Sequence, residues 1–157
     1  MTLLIVLLAI CLFVGSALWV LPSPKEKRQM RLRRQAMSKG IQVQLSQLAD
    51  PKNPMEKVHC VAYRLPLNSN RSAIPSWLLY QPDMSHRSHI QGWSFADHGI
   101  QPDERLVAKL SPLIDKLPTD TLAIERTPVS VGLYWRERGE AQDVDLIHQA
   151  LIALQSM

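Results

Sequence analysis

Asp83, His86, His89, Asp97 and His98 form the one stretch where metal-ligating and proton-transferring side chains gather. His86 and His89 stand three apart, a spacing that sets two imidazoles on one helical turn, and imidazole is the commonest metal-ligating side chain. A small metal-dependent enzyme or sensor using the His86–His98 region is therefore the catalytic expectation. Against it, the residues between carry Ser, Gly and Trp and do not read as a helix. A structural zinc site wants four ligands, often thiolates, and the nearby thiol is Cys60 alone. A polar loop over a sheet edge accounts for the same residues.

Other chemistry lacks its sequence context. Ser85, Ser88 and Ser94 lie near histidines without a nucleophile elbow around them. Six glycines are scattered singly at 15, 40, 92, 99, 132 and 139, so no glycine-rich loop cradles a phosphate. No cofactor is expected. Arg136 and Glu137 read as turn charges, and Asp143 and Asp145 as first-turn helix charges that favour the dipole. Trp77, Trp93 and Trp135 read as core or edge packing, or as anchors of a protein-binding face.

The elements that must position these residues follow from periodicity. Ile41, Val43 and Leu45 alternate with Gln42 and Gln44, the pattern of a half-buried strand. Further strands are expected over 58–65, 77–81, 92–95, 122–125 and 129–136, with Thr127-Pro128 dividing the last two. Leu106, Val107, Leu110, Leu113, Ile114 and Leu117 make an amphipathic helix that Pro112 should kink or split. A closing helix begins near Ala141 with a stripe of Val144, Ile147, Leu151 and Leu154. Grouped strands with few helices predict an α+β fold, an antiparallel or mixed sheet with two helices packed on it.

The N-terminal end is different. Leu3 to Leu21 is a run of 19 residues without a charge, close to the roughly 20 that span a hydrocarbon core. It predicts a single transmembrane helix. The charges follow the run instead of preceding it, as an uncleaved anchor requires and a cleaved signal does not. Lys25, Lys27, Arg28, Arg31, Arg33, Arg34 and Lys39 face only Glu26, a local charge of +6. Cations this close to a span are retained in the cytoplasm, which predicts an N-terminus outside and a C-terminal domain inside. The layout of one span and a short soluble domain resembles many small bacterial inner-membrane proteins and implies that placement. Ser23-Pro24 with Glu26 starts a helix and Gly40 stops it. That helix reads either as a basic surface for anionic lipid headgroups or as a solvated stalk.

The expected organisation is an anchor over 1–22, a basic juxtamembrane helix over 23–40, and a cytoplasmic domain over 41–157. Residues 40–157 carry 11 Lys and Arg against 13 Asp and Glu, so the basic balance belongs to the membrane end and argues against nucleic acid as a partner. The functional expectation is an accessory or adaptor protein that meets another membrane protein at the cytoplasmic face.

Overall fold

The computed structural model describes residues 6, 22–50, 53, 55–67, 76–81, 90, 92–96 and 103–157. Helix α1 (Pro24–Ser38) starts where the sequence places it. Ser23 N–H donates to Glu26 Oε2 at 2.6 Å, and Ser23 Oγ accepts from Glu26 N–H at 3.3 Å. This reciprocal box satisfies two amide donors that the first turn leaves without helical partners. At the far end Gly40 takes φ +80, a left-handed conformation that ends the helix without a Cβ penalty. Ile41 N–H then donates back to Ala36 O at 3.1 Å.

Six strands follow: β1 (Gln42–Ala49), β2 (Lys57–Pro66), β3 (Trp77–Tyr80), β4 (Ser94–Phe95), β5 (Thr121–Arg126) and β6 (Ser130–Trp135). Helix α2 (Glu104–Ile114) precedes β5, and helix α3 (Ala141–Gln155) closes the chain. The strands form one sheet in the order β1-β2-β6-β5-β3-β4, and every neighbouring pair is antiparallel. β5 is bulged between Thr121 and Ala123, which brings Leu122 to the sheet face opposite the helices.

One face of the sheet carries the main core. Val61, Tyr63, Leu79, Ile124, Val131, Leu133 and Trp135 meet Leu110, Leu113 and Ile114 of α2 and Val144, Ile147, Leu151 and Leu154 of α3. Val144, Ile147, Leu151 and Leu154 are fully buried, the stripe expected from their spacing. On the other face, Leu48, Cys60, Ala62, Ala123 and Tyr134 form a second cluster whose described members all come from strands.

The expected architecture needs three corrections. A sheet with two helices was expected, and three are present: Leu32 and Ala36 of α1, spaced four apart, are buried in the main core. An apolar stripe that thin is hidden in sequence by the cations around it. The alternative of a mixed sheet also falls, because all pairings are antiparallel. The expected transmembrane helix finds no support: among the described residues no helix is long and apolar enough to cross a membrane. The run Leu3–Leu21 lies outside the described residues except for Val6.

The chain divides into two compact units, residues 1–30 and 31–157. The second unit takes in the last turns of α1, so the folded domain starts before residue 41. Helix α2 runs through Pro112 without being split there and ends two residues later. Trp77, Trp93 and Trp135 are 4%, 3% and 0% exposed, which makes them core residues and removes them as surface anchors.

Candidate interaction surface

Asp83, His86, His89, Asp97 and His98 all lie outside the described residues. Among the described residues no three His, Cys, Asp or Glu side chains are placed to share a metal ion. Of the seven expected membrane-surface cations, Lys25, Lys27, Arg31 and Arg34 are exposed, while Arg28, Arg33 and Lys39 are half-buried. Two of the seven are tied into the domain. Lys39 Nζ lies 3.1 Å from Asp145 Oδ1, and Arg33 reaches Glu137.

The Arg33–Glu137 contact overturns the reading of Glu137 as a turn charge. Glu137 is 0% exposed and holds φ +53, a left-handed conformation unfavourable for a residue with a side chain. Its carboxylate accepts Arg33 Nε at 2.9 and 3.1 Å, Arg33 Nη2 at 2.5 Å, and Tyr63 Oη–H at 3.1 Å. Burial, and then the Glu137 charge, push the Tyr63 hydroxyl well above its ordinary pKa, so it stays a donor. The Tyr63 ring meets Trp135 edge-on at 5.3 Å. Helix α1, strand β2 and the turn after β6 are thereby fastened at one point.

That point shapes the turn on either side. Arg136 N–H donates to Asp120 O at 3.3 Å and Arg138 N–H to Asp120 Oδ2 at 2.8 Å. With Glu137 drawn inward, Arg136 and Arg138 are both exposed and line a cavity of about 690 Å³. Leu117, Pro118, Thr119, Leu122, Asp143 and Leu146 contribute to its wall. A groove of about 260 Å³ lies between α2 and α3, floored by Pro112, Leu113, Ala150, Ala153 and Met157 and bordered by Lys109 and Lys116. Leu146 lines both hollows, so they adjoin.

The charges of this region are unevenly engaged. Lys109, Lys116, Arg136 and Arg138 are exposed, and none is ion-paired with a described residue. The two carboxylates are already accepting amide donors, Asp120 from Arg138 and Asp143 from Glu140 N–H at 2.6 Å. The surface thus joins an apolar groove bordered by Lys109 and Lys116 to a mixed hollow in which Arg136 and Arg138 stand with the carboxylates of Asp120 and Asp143. Sequence reasoning missed it because its members come from α2, β5, the turn after β6, and α3. The one local signal was Lys109 followed by Pro112 and Leu113 on one helix face.

The opposite sheet face holds a second polar network. Gly132 pairs with Arg64 on one side and Glu125 on the other. A Cβ there would sit 2.8 Å from Glu125 Oε1 and 3.2 Å from Arg64 Cγ. Without one, Arg64 Nε crosses the middle strand to Glu125 Oε1 at 2.7 Å. Arg64 also donates to Gln44 Oε1 and Tyr134 Oη, each at 2.7 Å, and Tyr134 Oη–H donates to Glu125 Oε2 at 2.7 Å. Next to it Cys60 is buried, and burial pushes its thiol pKa up, in keeping with a small apolar role.

No protein-family model, curated protein or solved structure matches the chain.

Proposed function

We propose that this protein is an accessory or adaptor of the bacterial inner membrane that acts by protein–protein contact on the cytoplasmic face. The observation that carries the contact is the pair of adjoining hollows that share Leu146, one lined by Arg136 and Arg138 and the other by Lys109 and Lys116. An apolar groove bordered by cations suits a partner segment that is both apolar and acidic, the chemistry of helix-in-groove recognition. The membrane location is supported by the uncharged run Leu3–Leu21 and the +6 charge that follows it. The exposed cations Lys25, Lys27, Arg31 and Arg34 favour anionic headgroups.

The test is recovery of the tagged full-length chain from its native membrane in mild detergent, with partners identified by mass spectrometry. It is run beside Leu146→Asp and Lys109→Glu/Lys116→Glu. Leu146 is 38% exposed, so the substitution leaves the core intact. A membrane protein retained by the wild type and lost from both folded variants is the expected result. A partner held equally by all three, or none at all, refutes the assignment of this surface.

A further inference from the structure

The sheet treats its two edges differently. At one edge β4 is only two residues long, a common way of blunting an edge. At the other, β1 runs for eight residues and pairs with β2 in unbroken register from Gln42↔Arg64 to Ala49↔Lys57. Residues 42–49 contain no charge and no proline, and the strand has no bulge. Charges, prolines and bulges keep exposed edges from pairing, and β1 carries none of the three.

The direction of the free backbone groups follows from the hairpin. Asp50 N–H donates to Glu56 O at 2.9 Å, so the even-numbered residues of β1 turn their N–H and C=O toward β2. Val43, Leu45, Gln47 and Ala49 turn theirs outward. Among the described residues no strand pairs with them. Leu45 is 72% exposed although it shares the helix-covered face with Val61, its neighbour in β2.

We infer that β1 pairs with β1 of a second copy, antiparallel and about a two-fold axis at Leu45, joining two sheets into one. In that register Leu45 faces the second copy's Leu45, and Val43 and Gln47 face each other twice. These three hydrogen-bonded pairs exchange about six bonds, two per pair. Parity and the absence of charge select a copy of the same chain in this direction. Val43, Leu45 and Gln47 map as a set onto themselves under the two-fold, so each outward N–H and C=O meets its complement. Residues 42–49 carry no charge to repel their own image. The same patch meets itself, as an isologous dimer requires.

The experiment uses the full-length chain in mild detergent. Light scattering with the detergent mass subtracted should give twice the 17.8 kDa chain mass for the wild type. Leu45→Lys, which sets two ammonium groups opposite each other at an exposed position, should give the single-chain mass with an unchanged melting temperature. In a Cys11→Ser background, Leu45→Cys should form an intermolecular disulfide, because a directly opposed hydrogen-bonded pair has its Cα atoms about 5.5 Å apart. Gln47→Cys should not, since its own copy lies four residues away, about 13 Å along the seam. A monomeric wild type, a dimer that survives Leu45→Lys, or equal crosslinking by Leu45→Cys and Gln47→Cys overturns the proposal.

Discussion

Replacing Arg33 by methionine keeps an apolar stem of similar reach and removes the guanidinium that faces Glu137. The buried carboxylate would lose contacts at 2.9, 3.1 and 2.5 Å and retain only the Tyr63 hydroxyl. Stripping one partner from a buried pair costs roughly 3–5 kcal/mol. The Arg33 side chain is 29% exposed, so water can reach that side of the carboxylate, and Tyr63 still donates. The lower end, about 3 kcal/mol, is therefore expected. For a domain of this size that corresponds to a melting temperature lowered by about 10 °C.

Urea and thermal unfolding of the full-length chain, followed by tryptophan fluorescence, would measure the loss. Trp135, fully buried against Tyr63, reports on the same region. Arg31→Met and Arg34→Met serve as controls, because both side chains are exposed and should change stability by less than about 0.5 kcal/mol. If the three variants unfold alike, Arg33 is only another surface cation and the Arg33–Glu137 fastening is refuted.

Gly132→Ala should destabilise the domain by about 1–3 kcal/mol, since its Cβ must displace the Glu125 carboxylate; an unchanged urea midpoint would refute the close crossing over β6. Tyr63 and Tyr134 have raised pKa values, chiefly through burial, followed by the Glu137 charge for Tyr63 and the hydrogen bond to Glu125 for Tyr134. The folded state thus keeps protons that the unfolded chain releases near pH 10, so their contribution is complete below that pH and is lost above it. The unfolding free energy from urea titrations should fall as pH rises past 10, by up to about 1.4 kcal/mol per unit for each tyrosine. Tyr63→Phe should make that fall shallower. Ser23→Ala should move the lowered Glu26 pKa only part of the way toward the ordinary carboxylate value, because the Ser23 backbone N–H, its largest cause, remains and only the side-chain hydrogen bond is lost. Carboxyl chemical shifts followed through an acid titration would show the change.

Local patterns carried much of the fold. The stripe Val144–Leu154, the hairpin at Thr127-Pro128, the Ser23–Glu26 box and the Gly40 stop each involve neighbours within a few residues, where periodicity and capping chemistry act. Edge position is different. Leu45 has the right parity for the core yet stays exposed, because nothing in alternation says that β1 is the outermost strand. Leu48 is buried on the other face, which short-range counting from Ile41 to Leu45 did not reach. The concave surface was illegible for the same reason as the Arg33–Glu137 contact: its members converge only after the sheet order is set. The histidine cluster lies outside the described residues, and its expected chemistry stands where the sequence left it.

The distance in sequence between Arg33 and Glu137 also sets a timetable. The two are 104 residues apart, and Tyr63 and Glu137 are 74 apart. At about 5–20 residues per second on the ribosome, Arg33 waits roughly 5–20 s for its carboxylate. During that interval the β1–β2 hairpin exists with neither its inner neighbour β6 nor its fastening, and the inner edge of β2 is open to whatever strand arrives. The strand that completes the centre of the sheet and the turn that locks α1 to it are synthesised together, almost last. A nascent chain halted before Ser130 would therefore lack both the strand that joins β2 to β5 and the carboxylate that Arg33 awaits.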